Sequence, residues 1–224
     1  MKKIIFKYVI EFSVIVLGIS VSFWFDKYQK SLDNIDREKE VLSELSTELE
    51  VIENTIKNRD SVFRFDKENL IRIIDDDLEN ISFTYSELLI ASIDYRGFSP
   101  SEEIYTSLKY DGGLKFIRNS NIKIAIESFY NGTKYGVLAN IEDEIVVQRE
   151  ILKYIQYNHP QVLIEISKMK ISEFKKIKLF TNIVQKDSTL KSLLVSKLRF
   201  MNSKLIFLQR YKSSLLMLKT LVAS

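Results

Sequence analysis

The chain has 224 residues, 46% of them hydrophobic and 28% charged, with six glycines, two prolines, one histidine and no cysteine. That length suits one domain, or one domain with an anchor, and the apolar content is too high for wholesale disorder. Without cysteine, disulfide scaffolds, thiolate metal sites and thiol nucleophiles are excluded, and a lone histidine removes most imidazole chemistry.

Residues 1–25 open on Met1-Lys2-Lys3 and run to Phe25 with charge only at Lys7 and Glu11. Tyr8 to Phe25 makes 18 residues, near the lower limit for a membrane-spanning helix. Lys7 and Glu11 lie four apart and pair on one helix face. Tyr8, Phe23, Trp24 and Phe25 set aromatics at both ends, as an interfacial belt requires. The competing reading is a cleaved signal peptide ending near Ser20-Val21-Ser22. The apolar stretch is long for that and continues through Phe23-Trp24-Phe25, so a retained anchor over 1–25 is expected.

Orientation rests on Lys2, Lys3 and Lys7 before the span against Lys27, Lys30, Arg37 and Lys39 after it. The N-terminal charges sit in a very short tail, which favours that end inside the cytoplasm and residues 26–224 on the periplasmic or extracellular side. Within the span, Glu11, Ile15, Gly18 and Ser22 share one helix face. Gly18 and Ser22 form a small-xxx-small pair that admits a second helix closely, and an ionisable Glu11 faces protein or water rather than lipid. The expectation is a homo-oligomer associated through this face.

From Asp26 the pattern becomes a charged amphipathic helix with no Gly or Pro before Gly97. Tyr28, Ile35, Leu42, Leu49, Ile56, Phe63 and Leu70 recur every seventh residue, with Leu45, Ile52 and Ile73 in the companion position. Ser31, Glu38, Arg59 and Asp66 fail that second position, which suits packing into the chain's own bundle better than an intermolecular coiled coil. The spacing predicts one rod from the span to about Asp75, roughly 75 Å beyond Asp26 at 1.5 Å per residue. Asp75-Asp76-Asp77 reads as its solvated end; adjacent aspartates diverge, and no oxygen-rich metal loop follows them.

Further helices are expected over Tyr85 to Tyr95, stopped by Gly97, and from a Ser99 cap through Pro100 to Gly112-Gly113. A long helix over Asn121 to Asn158 carries weak points at Asn131-Gly132 and Gly136. His159-Pro160 breaks the chain. Gln161 to Val184 and Ser188 to Val222 follow, with a strand conceivable at Val162 to Ile166. The fold class is all-α: an N-terminal transmembrane helix continuing into a long amphipathic helix packed in an extramembrane bundle, 26–224.

Charge is segregated. Residues 26–103 hold 10 Lys+Arg against 20 Asp+Glu, and 104–224 hold 20 against 9; within the latter, 168–224 hold 13 against 2. The plain reading is that basic C-terminal helices pack antiparallel on the acidic rod. Residues 168–224 are otherwise a surface for a protein partner or anionic lipid. Nucleic acid would need a recognisable basic module that the sequence lacks.

Several stretches together resemble a bacterial family of single-span membrane proteins, domain of unknown function 6090. They are Tyr8-Val9-Ile10-Glu11 with Val14-Ile15-Val16-Leu17-Gly18-Ile19 and Trp24; Glu40-Val41-Leu42-Ser43-Glu44-Leu45 with Glu48-Leu49; and Tyr105-Thr106-Ser107-Leu108-Lys109, Gly113-Leu114-Lys115-Phe116-Ile117-Arg118-Asn119 and Phe129-Tyr130-Asn131. The family's membrane exit carries a Trp-Asn pair, where this chain has Phe23-Trp24-Phe25-Asp26. The resemblance implies an anchor and a helical extramembrane domain, with Glu11, Gly113, Leu114 and Asn119 at the family's recurring positions. It brings no activity or ligand.

Chemistry finds no footing in the sequence. His159 lies in a helix-breaking turn with no Ser or Asp pattern beside it. Gly112-Gly113 lacks the third glycine and the Lys-Ser/Thr of a phosphate loop. Glu142, Asp143 and Glu144 read as a solvated helix face. No catalytic residue, cofactor or metal ligand is expected. Tyr105, Tyr110, Phe116, Phe129, Tyr130 and Tyr135 form an aromatic-rich middle and the candidate ligand cleft. The expected function is a non-enzymatic membrane sensor, scaffold or partner-binding module. The alternatives are a cytoplasmic-facing effector that permeabilises the bilayer through oligomerised spans, and an enzyme using His159.

Overall fold

The computed structural model describes residues 2–79, 82–166 and 172–223, with side chains from residue 11 onward except 165 and 166. Every regular element among them is helical: α1 (Lys2–Asp75), α2 (Tyr85–Ile93), α3 (Glu103–Tyr110), α4 (Ser120–Ser128), α5 (Lys134–Asn158), α6 (Pro160–Ile166), α7 (Glu173–Lys186) and α8 (Ser188–Ala223). A 3₁₀ turn spans Gly113–Phe116, and a π-helical turn spans Phe129–Thr133 between α4 and α5. The fold is therefore all-α, and the strand conceivable at Val162 to Ile166 is a helix whose Val162 enters the core.

α1 runs unbroken for 74 residues, about 111 Å at a helical rise. Its end is a helix-stop geometry made with aspartate. Asp76 takes a left-handed φ of 59° and the Asp77 amide donates to the Arg72 carbonyl at 2.9 Å, the bond that a glycine usually supports. The Gln185 amide donates to the Ile73 and Ile74 carbonyls at 2.8 and 3.1 Å, covering two of the orphaned acceptors there.

Three long helices form the frame. α8 runs antiparallel to α1, with Lys219 on Glu53 at 2.6 Å and Gln209 on Asp60 at 2.8 Å. It also runs antiparallel to α5, where Gly136 faces Phe207 and Glu144 faces Lys204. The heptad seam on α1 is internal: Leu45, Leu49, Ile52, Ile56, Phe63, Leu70 and Ile73 are all buried within the chain's own bundle. Full burial begins at Glu38 and Val41, after a half-buried Ile35 and Arg37 on the Phe116 ring, so Glu11 to Asn34 projects from the bundle for about 36 Å.

Local ends follow side-chain chemistry. Thr84 and Glu87 close a capping box on α2 (Glu87 N to Thr84 Oγ1 3.2 Å, Thr84 N to Glu87 Oε2 2.7 Å), and that helix stops at Ile93, short of Tyr95. α3 begins at Glu103 instead of Pro100. Its Ile104 and Tyr105 amides donate to the Glu48 carboxylate of α1 at 2.8 and 3.1 Å, so the cap arrives from another helix and Ser99 is not needed. Gly112 takes φ 69° after α3, and a Cβ on Gly113 would strike Leu108. The expected helix over Asn121 to Asn158 is divided at the π turn, where its weak point at Asn131-Gly132 falls. Within the expected Gln161 to Val184 helix, α7 starts from an extended Ser172, and residues 167–171 lie outside the described residues.

Among the described residues no helix is long and apolar enough to cross a membrane. The expected anchor lies partly outside them, since the first ten side chains of 1–25 are not described.

Two glycines give opposite expectations. A Cβ on Gly136 would enter the Phe207 ring, whereas nothing approaches Gly18 within 4 Å. Gly136→Val is expected to lower bundle stability by about 1–3 kcal/mol in urea unfolding, through overpacking. Gly18→Val is expected to leave that midpoint unchanged.

Candidate functional site

The acidic rod holds the bundle through carboxylates that point inward. Glu38 accepts from the Arg118 amide at 2.6 Å and from its guanidinium. The backbone hydrogen bond from Arg118 is the main cause that holds the Glu38 carboxyl below its ordinary range. Glu48 accepts from Ile104, Tyr105 and the Tyr130 hydroxyl at 2.6 Å. Asp66 receives Arg96 in a two-point pair at 2.7 and 3.2 Å. Residues 96–118 are thereby tied antiparallel along α1. Glu38 and Asp66, two of the polar positions in the heptad seam, are buried ion-pair partners instead of gaps.

The aromatic middle does not assemble into one cleft. Tyr105, Phe129 and Tyr130 are buried, with Tyr105 and Tyr130 stacked at 4.1 Å and Phe129 stacked on Tyr211 at 4.7 Å. Burial, then the Glu48 carboxylate, pushes the Tyr130 hydroxyl far above its usual range. Tyr110 and Tyr135 are exposed (86% and 68%), and Phe116 is half-buried between the Arg37 and Lys115 cations. Three members are thus core, two are surface, and Phe116 lies between. Tyr110 instead borders an open groove with Val51, Thr55, Pro100 and Thr106.

A second polar centre was not singled out in the sequence. Glu144, read there as solvated, is buried with Lys197 and Lys204 of α8. Lys204 donates to Glu144 and lies 4.1 Å from the Phe63 ring centroid. Lys197 donates to the Asp94 carbonyl and stands 3.9 Å from Glu144. Burial outweighs the neighbouring carboxylates and pushes the Lys197 ammonium down to about 8. The spacing of Lys197 and Lys204, seven residues apart on the buried stripe of α8, is the signal that marks this centre in the sequence.

His159 ends α5, and its Nε2 lies 2.6 Å from Asp187. Asp187 also receives the Tyr154 hydroxyl at 2.9 Å and accepts from the Thr189 and Leu190 amides at 3.0 Å, capping α8. Burial opposes ionisation, but the Leu190 amide, His159 and Tyr154 together hold the Asp187 carboxyl down at about 2. His159 thus fastens the end of α5 to the start of α8. Among the described residues no group of three acidic or imidazole side chains is placed to hold a metal ion.

Ile15, Gly18 and Ser22 line a shallow groove on the projecting part of α1, and Ser22 Oγ donates to the Gly18 carbonyl at 2.9 Å. Glu11 is exposed on the same stretch. Phe12, Val14, Ile15, Leu17, Phe23 and Trp24 are each at least 60% exposed. Of the basic stretch 168–224, Lys168 and Lys170 lie outside the described residues. Lys197 and Lys204 are core, Lys219 pairs with Glu53, and Lys175, Lys178, Lys186, Arg199 and Arg210 are exposed. α7 docks at the far end of α1, about 70 Å along the helix from Asp26. No protein family, curated protein or solved structure matches the chain.

Removing the shared counter-charge differs from removing one cation. Glu144→Leu is expected to destabilise the bundle by about 3–5 kcal/mol in urea unfolding, because it strands two buried ammonium groups. Lys197→Met is expected to be neutral or stabilising. The folded Lys197 value near 8 lies below the ordinary 10.5, so the folded state binds fewer protons than the unfolded one between them. Stability should therefore rise with pH from 8 to 10.5, and the rise should vanish in Lys197→Met.

The acid limb has the same slope, stability again rising with pH, because here too the folded state binds fewer protons than the unfolded one. Hydrogen bonds from Lys219 and then Lys57 hold Glu53 at about 2, and Asp187 is held at a similar value. Both contributions are complete above the ordinary carboxylate range and disappear as pH falls toward 2. Glu53→Gln and Asp187→Asn should each flatten the loss of stability between pH 5 and about 2 in thermal melts, and both should converge on the parent at the acid end.

Proposed function

We propose that the chain is a single-pass membrane protein whose helical bundle acts, without catalysis, as a sensor, scaffold or partner-binding module. The observation that carries this reading is the projecting section of α1. Large apolar side chains from Phe12 to Phe25 stand exposed on a helix with no bundle around it, while residues from Glu38 onward have a core of their own. Water does not tolerate so large a contiguous apolar surface, and lipid or another protein removes it. The sequence from Tyr8 to Phe25 supplies 18 residues for lipid, and the resemblance to the single-span family points the same way.

The groove at Ile15, Gly18 and Ser22 supports self-association through the span, because its small side chains permit close backbone approach. A bundle held on one continuous helix passes a change at either end to the other as a rigid shift, which suits sensing or spacing. The exposed lysines of α7, about 70 Å from the apolar section, suit a protein partner better than the lipid of the same membrane.

Membrane fractionation tests the anchor. The full chain should remain in the membrane pellet after alkaline carbonate extraction, and a chain starting at Asp26 should appear in the supernatant still helical by circular dichroism. Recovery of the full chain in the supernatant would overturn the reading. With the anchor established, Thr220→Cys in this cysteine-free chain reports topology. Labelling of intact cells by an impermeant thiol reagent is the expected result. Labelling only after lysis would place the bundle in the cytoplasm and favour the membrane-permeabilising effector.

A further inference from the structure

We infer that the buried ionic layer divides the bundle into two units that open separately. The apolar core is in two pieces. One contains Val41 to Phe63 of α1, Val137 and Ile141 of α5, and Leu205 to Leu218 of α8. The other contains Leu70 to Ile74 of α1, Val147 to Ile155 of α5, and Leu190 to Met201 of α8. On the three long helices the residues between the two pieces are Asp66, Asn69, Glu144 and Lys204; the Lys197 ammonium reaches this layer from within the second piece, and Arg96 reaches in from the loop after α2.

Cohesion across this level is weak for a physical reason. Two buried ammonium groups, Lys197 and Lys204, share the single buried carboxylate of Glu144, so positive charge is poorly matched at close range within a desolvated layer. The Asn69 Nδ2 on α1 and the Ser92 Oγ on α2 are buried and make no hydrogen bond among the described residues. Opening one unit rehydrates these groups, which offsets part of its cost, whereas an apolar boundary would lose burial on both sides. Each unit also has its own short helices: α3 and α4 pack on the first core, and α2, α6 and α7 on the second. Among the described residues α1, α5 and α8 cross the layer as continuous helices and the loop from Asp94 to Phe98 crosses beside them, so the coupling is carried by chain continuity more than by apolar packing. Such partly independent units are what native-state exchange resolves.

Hydrogen exchange of the full chain, followed by mass spectrometry through sub-denaturing urea, reads the two units directly. Amides of α2, α6 and α7 should share one opening isotherm, and those of α3 and α4 another, with opening constants differing by roughly tenfold or more. The variant Glu144→Leu with Lys197→Met and Lys204→Met should merge the two into one. A single isotherm in the parent chain would overturn the inference, as would two unchanged isotherms in the folded triple variant. Should the triple variant not fold, Lys197→Met alone, which keeps the Glu144–Lys204 pair, should narrow the gap; an unchanged gap there would also overturn it.

Discussion

The bundle depends on carboxylates of one helix reaching backbone amides of other segments. α1 is stiff and continuous, and α3, at eight residues, is far too short to be stable alone. Glu48 supplies the first turn of α3 with its acceptors, and Glu38 does the same for the chain at Arg118. Asp66 takes a guanidinium to begin the same return path. The segregation of acid to the first half of the sequence thus has a structural use: the acids are ligands for the chain that follows them.

Apolar repetition by itself does not define where α8 sits. Leu194, Met201, Leu208 and Leu215 recur every seven residues, and a helix with that pattern slides by one heptad without losing its stripe. A slide in one direction would drive Lys204 into the place of Tyr211, against Phe98 and Phe129, and in the other would carry Lys197 into the place of Leu190. Glu144, with a lysine to each side, fixes one alignment. The close passage of Gly136 beside Phe207 fixes it a second time. Buried charge here serves register more than stability.

Much of the architecture was legible because it is local. The seam of α1, its end at Asp75, the turn at Gly112 and the division near Asn131-Gly132 follow from periodicity and backbone permissiveness. What escaped the sequence is tertiary. Glu38, Asp66 and Glu144 look solvated until their partners, 30 to 80 residues away in sequence, are placed. Pro100 looks like a helix start until Glu48 is seen to cap three residues later. The aromatic middle looks like one group, yet Tyr110 and Tyr135 lie on faces of α3 and α5 opposite to the core. A linear run of rings says nothing about which side of a helix each occupies until the packing partner is known.

The projecting section of α1 meets the bundle with no turn between them; residues 26–34 form a single unsupported stalk. Such a joint fixes azimuth as well as height. One residue added to or removed from the stalk turns the bundle by about 100° relative to the Gly18–Ser22 face and moves it by about 1.5 Å. Seven residues nearly restore the phase while lifting the bundle by about 10 Å. The length of this stalk, measured modulo the helical repeat, therefore sets which faces of two bundles would confront each other if their apolar sections came together.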